Sequence, residues 1–172
     1  IWWGFAEALT LHAWSPDGRT LAFVGAMDGP SSDLYLFDVM TRTLTRLTDG
    51  PEQITALRWS PDGQWIWHNT VSIGFCQGCY GHKYAAARDG SRIITIPGDE
   101  TTLFLGWIGP DRYLESDGAN GIGDFHLYEV NLTGAPGRDL WAGSYSAFVI
   151  NREQQRMVIK GSPTPSLDPA DV

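Results

Sequence analysis

The stretch Trp14-Ser15-Pro16-Asp17-Gly18 returns 45 residues later as Trp59-Ser60-Pro61-Asp62-Gly63. The residues after it correspond too: Arg19-Thr20-Leu21 falls where Gln64-Trp65-Ile66 does. A worn third copy, Trp107-Ile108-Gly109-Pro110-Asp111-Arg112-Tyr113-Leu114, follows 48 residues on, and a faint fourth spans Phe148–Asn151 and Arg156–Ile159. A second block keeps the same period. Asp33-Leu34-Tyr35-Leu36-Phe37-Asp38-Val39 aligns without gaps on Asp124-Phe125-His126-Leu127-Tyr128-Glu129-Val130, 91 residues away, and His82–Arg88 is the middle copy. Two independent blocks sharing one period of 45 to 48 residues define a structural repeat.

The residues of the motif explain its place. Pro presets φ at the first corner of a tight turn, Asp can accept backbone N–H bonds, and Gly can take positive φ. The motif therefore reads as the hairpin between the first two strands, A and B, of each repeat, with its Trp closing strand A and packing between sheets. Four short strands per unit at this period are the mark of a β-propeller blade. We expect strands at 8–14, 20–25, 33–39 and 43–47, then 54–59, 64–70, 82–88 and 92–96, then 102–107, 112–116, 124–130 and 138–141. Two more are expected near 145–150 and 155–160. The fold class is all-β: a propeller fragment of about 3.5 four-stranded antiparallel blades. Blade 1 is expected over about 8–48, blade 2 over 54–97, blade 3 over 102–141, a partial blade 4 over 145–160, and a tail over 161–172.

Trp14 through Phe23, Asp33 through Asp38 and Leu44 through Gly50 resemble the WD40-like PD40 repeat. That repeat forms the propeller of the periplasmic protein TolB. It also occurs in the N-terminal propellers of prolyl-oligopeptidase-like peptidases and in tricorn-type proteases. The resemblance covers roughly 8–160. It implies a ring with further blades outside this chain, and so a piece of a longer protein. It also implies an extracytoplasmic binding or scaffold role toward a protein or peptide. A substrate-gating propeller of a larger serine peptidase, and a glycan- or small-molecule-binding propeller, are the alternatives. One fold of this type serves many functions, so the resemblance speaks for fold first.

Composition agrees. Of 172 residues, 42% are hydrophobic, enough for a domain-sized core. Twenty Gly and ten Pro punctuate the chain as many short strands require. Eight Trp supply rigid rings to fill space between sheets. The net charge of −8 disfavours phosphate backbones, so no nucleic-acid partner is expected. Apolar runs are broken well before a membrane helix could form, so no membrane insertion is expected. The chain starts at Ile1 rather than Met, so the lack of a visible leader carries no weight.

Individuality concentrates where the period breaks, in the long segment 68–82. Cys76 and Cys79 could form a local disulfide, remain thiols, or chelate a metal with His68 and His82. The spacing fits neither a zinc finger nor haem attachment. The loop Asp117–Asp124 holds oxygen ligands, but Ala119 and Gly121 spoil the alternation that a calcium loop needs, and Asp28–Asp33 repeats its place, so it reads as turn chemistry. No Gly-x-Ser-x-Gly occurs, and His12, His68, His82 and His126 are scattered over the repeats, so neither catalytic residues nor a cofactor are expected. Loops between B and C, and between D and the next A, gather on one face of a propeller. Met27, Asp28, Phe75, Tyr80, Asp117 and Asn120 on these loops are the candidate binding residues.

Overall fold

The computed structural model describes residues 11–27, 29–72, 81–97, 102–117, 125–132, 138–151 and 156–163. Every regular element among them is a β-strand, and every strand pair is antiparallel. The chain divides into two compact units, Ile1–Glu100 and Thr101–Val172.

The first unit holds two four-stranded meanders. One runs β1 (His12–Trp14), β2 (Thr20–Gly25), β3 (Asp33–Asp38), β4 (Thr43–Arg46). The other runs β5 (Glu52–Trp59), β6 (Trp65–Ser72), β7 (Lys83–Ala87), β8 (Ile93–Ile96). These match the expected strands to within a few residues. The sheets meet along β5, which lies against β1, β2 and β3. Between them sits a core of Ala22, Leu34 and Leu36 from one sheet and Ile54, Leu57, Ile66 and Ala86 from the other. The strand period places these residues on facing surfaces, since Ala22 pairs with Leu36 and Ile66 with Ala86.

The motif turns are alike atom for atom. In the first, Gly18 has φ 69°, the Ser15 hydroxyl donates to Asp17 Oδ1 at 2.6 Å, and the amides of Arg19 and Thr20 donate to Asp17 Oδ1 and Ser15 Oγ. In the second, Gly63 has φ 68°, Ser60 donates to Asp62 Oδ1 at 2.6 Å, and the amides of Gln64 and Trp65 repeat the pattern. Ser15 and Ser60 are buried, so each hydroxyl satisfies an amide with no access to water.

Cross-links then join one repeat to the next. Trp59 is 8% exposed, and its indole N–H donates to the Ala13 carbonyl at 3.0 Å. Arg88 reaches Asp17 Oδ2 at 2.9 Å and Thr20 Oγ1 at 2.7 Å, with its guanidinium over the Trp59 ring. The packing role expected of the motif Trp thus holds for Trp59. Trp14, at the same place in its own repeat, is 54% exposed.

The second unit is one five-stranded sheet in the order β13-β12-β11-β10-β9. Its strands are β9 (Leu103–Trp107), β10 (Arg112–Ser116), β11 (Phe125–Asn131), β12 (Arg138–Asn151) and β13 (Arg156–Pro163). Phe104, Trp107 and Tyr113 pack as an aromatic cluster with centroids 5.1 to 5.9 Å apart. Here the strands depart from expectation. The sequence reading separates a strand at 138–141 from another at 145–150, but β12 runs through both as 14 residues, and β13 pairs along it from Gly143 to Asn151. The reason is the missing proline. Pro51 and Pro97 stand at the two earlier junctions, where a missing N–H ends the ladder; 142–144 is Ala-Gly-Ser, and every amide can go on pairing.

Candidate binding crevice on the loop face

The strand order puts the ends of β2 and β4 and the starts of β3 and β5 on one side of the first unit. The end of β6 and the start of β7 lie there too. This is the side opposite the motif turns. A crevice of about 300 Å³ opens there between the two sheets. One wall carries Ser32, Asp33 and Thr48; the floor is the crossing Asp49-Gly50-Pro51; the other wall carries Glu52, His68 and Tyr84.

The crossing is tied down from both sides. The Ile54 amide donates to Ser32 Oγ at 3.1 Å, and Gln53 reaches the Pro30 carbonyl at 2.9 Å. Buried Asp33 accepts Arg46 Nη2 at 2.6 Å, Thr48 Oγ1 at 3.0 Å and the Gly50 amide at 3.4 Å. Arg46 also holds the exposed Asp49 at 2.8 Å. A short polar loop is thereby fixed in one conformation, which a preformed site requires.

Glu52 organises the opposite wall. Its carboxylate accepts Thr70 Oγ1 at 2.5 Å, Tyr84 OH at 3.3 Å and His82 Nδ1 at 3.0 Å. Partial burial works against its ionisation, but the donors from Thr70, His82 and Tyr84 and the attraction of His82 prevail and hold the carboxyl below its usual range. On Tyr84, burial first and then the Glu52 charge push the phenol up.

His68 lies inside β6, 2% exposed, with its ring stacked on Tyr84 at 5.4 Å. Burial drives its pKa down to about 4, against the weaker opposing effects of the Ile66 carbonyl and Glu52. The ring is therefore neutral at pH 7. Its Nδ1 faces the Ile66 carbonyl oxygen at 3.4 Å. A carbonyl can only accept, which assigns the proton to Nδ1 and leaves Nε2 with a lone pair. Nε2 has no hydrogen-bond partner among the described residues.

Of the residues singled out in the sequence, His68 and His82 come together around Tyr84, with His82 at 6.2 Å from that ring. Met27 is half exposed beyond β2 and does not line the crevice. Asp117 belongs to the second unit, where its carboxylate accepts the His126 amide at 2.7 Å and Tyr128 OH at 3.1 Å. Asp28, Phe75, Cys76, Cys79, Tyr80 and Asn120 lie outside the described residues, and with them the disulfide, thiol and metal alternatives for the cysteine pair. Sequence reading passed over Glu52 and Asp33. Glu52 is 18 to 32 residues from the groups it binds; the available signal was a carboxylate placed directly after a blade-joining proline.

No protein-family model matches the chain. Two curated relatives match parts of it. A Bacillus subtilis protein described as the uncharacterized peptidase YuxL is 44% identical over 61 residues, 36% of this chain and 9% of that one. The uncharacterized protein Atu1656 of Agrobacterium fabrum is 38% identical over 66 residues, 38% of this chain and 22% of that one. The matched stretches are thus under a quarter of the relatives' lengths. Among solved structures, TolB from Acinetobacter baumannii superposes with a TM-score of 0.59 at 17% identity, covering 91% of this chain and 38% of that one. Acylaminoacyl peptidase from Pyrococcus horikoshii gives 0.61 at 14% identity, covering 81% and 26%. Such identities speak for fold. The chain is an all-β, propeller-type structure of the kind found in TolB and in the propeller domains of peptidases.

Proposed function

We propose that this chain is a binding propeller, itself without catalytic residues, that takes a protein or peptide partner on its loop face. The observation that supports this reading most is the crevice at Glu52 and His68. Its carboxylates are held by fixed donors, and its buried imidazole is neutral and oriented, so it offers a rigid set of acceptors rather than a nucleophile beside a base. The TolB likeness favours the same role and an extracytoplasmic location, with further blades completing the ring. Selection of a random peptide library on the immobilised full chain tests it, followed by hydrogen exchange on the bound state. Protection is expected at 30–33, 48–54 and 68–70. Failure to enrich any peptide, or protection confined to the motif turns at 15–19 and 60–64, would overturn it.

A second reading is a substrate-gating propeller of a larger peptidase. The 44% identity to YuxL favours it. Sequencing the gene on both sides decides it: a downstream α/β domain bearing Gly-x-Ser-x-Gly would establish this reading, and further propeller repeats alone would remove it.

A further inference from the structure

The chemistry of the crevice specifies what it can hold. The charged side chains that line it are all acids. The carboxylates of Asp33, Asp49 and Glu52 line it, against one guanidinium, Arg46, and the His82 ring on Glu52. His68 adds a second, independent observation. It is 2% exposed, lines the crevice, and carries an acceptor nitrogen that no described residue satisfies. A lone pair on a ring that lines the crevice can accept from a ligand's donor. Pro51, Ile54 and the Tyr84 ring provide apolar and aromatic walls beside these acceptors. The volume is at the small end of ligand sites, room for one side chain rather than a cofactor.

We infer that the crevice receives an arginine side chain presented by a partner polypeptide, its stem against Pro51 and Ile54 and its guanidinium shared between His68 Nε2 and the Glu52 and Asp49 carboxylates. A guanidinium is planar, carries five donors and no acceptor, is weakly hydrated, and stacks on aromatic rings. A carboxylate-bearing or phosphorylated ligand would meet like charge there. Free arginine would bring its own α-carboxylate against the same acids, so a blocked residue within a chain is the better fit.

This inference rests on the loop face being the binding surface. Its test is a titration of the isotopically labelled full chain with acetyl-Gly-Arg-Gly-amide, following the His68 ring nitrogens by NMR. The Nε2 resonance should move on binding. The citrulline peptide, an uncharged near-isostere, should bind at least tenfold more weakly, and free L-arginine more weakly than the blocked peptide. Glu52→Gln should weaken the arginine peptide about tenfold. Asp49→Asn, at a side chain 85% exposed, should weaken it severalfold, with an unchanged far-UV spectrum and melt as the check on folding. Equal binding of the citrulline peptide, an unmoved His68 ring, or tighter binding of free arginine would overturn the inference. Library peptides that dock on the loop face without a basic residue would overturn it too, while leaving the loop face as a binding surface. Failure of every peptide would remove both.

Discussion

Ser15 and Ser60, at the motif end of the first two sheets, make the same hydrogen bonds to Asp17 and Asp62 and to the amides of Thr20 and Trp65. At the other end, Asp33 and His82 also share one place in the repeat, at the start of β3 and just before β7. Yet one is an acid holding Arg46 and Thr48, and the other is a base donating to Glu52. The difference lies in what each end must do. A two-strand reversal exposes its own amides to burial, and few side chains can satisfy them. The loop end meets the backbone demand by crossing from sheet to sheet, which leaves its side chains free to differ. Repetition therefore marks what folding requires, and its loss marks where one repeat is free to differ from the next.

The largest expected effect bears on the core that joins both ends. Leu57→Ala empties a fully buried site between the sheets and should cost about 2–5 kcal/mol, read from urea denaturation. A loss under 1 kcal/mol would mean that the sheets are not held by this layer.

Next comes acid, which between pH 6.5 and 4 should act through the loop end. The unfolded His68 takes a proton below its ordinary value of 6.5, and the folded ring only below about 4. The unfolded chain thus binds more protons in that window, and the stability present above pH 6.5 falls as pH drops toward 4, by about 3 kcal/mol. Glu52, whose carboxyl is held down, loses its contribution in the same direction at lower pH. His68→Phe keeps a ring on Tyr84 and should flatten the slope between pH 6.5 and 4; an unchanged slope would reassign it.

At the motif end, matched changes should cost matched amounts. Ser15→Ala and Ser60→Ala each leave a buried amide without its acceptor and should each cost about 1–3 kcal/mol. Unequal losses beyond about 1 kcal/mol would break the equivalence of the two turns.

The smallest effect sharpens it. Gly18→Ala and Gly63→Ala both force a side chain to positive φ, at roughly 1 kcal/mol. A new Cβ at 18 meets open space, whereas at 63 it would stand 3.3 Å from Pro16 Cδ. Thermal melts should place Gly63→Ala a few tenths of a kcal/mol below Gly18→Ala, and the reverse order would deny the contact between the turns.

The turns and the first eight strands were legible in the sequence because each depends on residues close in the chain: proline and glycine at the corner, alternating side chains along each strand. The junction at 142–144 misled because a repeat register suggested a break that no residue there enforces. His68 and His82 stand out in the sequence beside Cys76 and Cys79, which lie outside the described residues. Strand pairing adds Tyr84 to them and, from 30 residues upstream of His82, Glu52.

By itself, then, the sequence determined a repeated four-stranded sheet, the turn that opens it and the acidic character of the surface, since local backbone geometry and net charge need no knowledge of distant partners. Tertiary structure alone decided that Trp59 is buried and Trp14 exposed, that 138–151 is one strand, and that Asp33, Glu52 and His68 line a common crevice. Those outcomes rest on which strands face each other across the sheets. That is set by packing between residues tens of positions apart, and no local pattern encodes it.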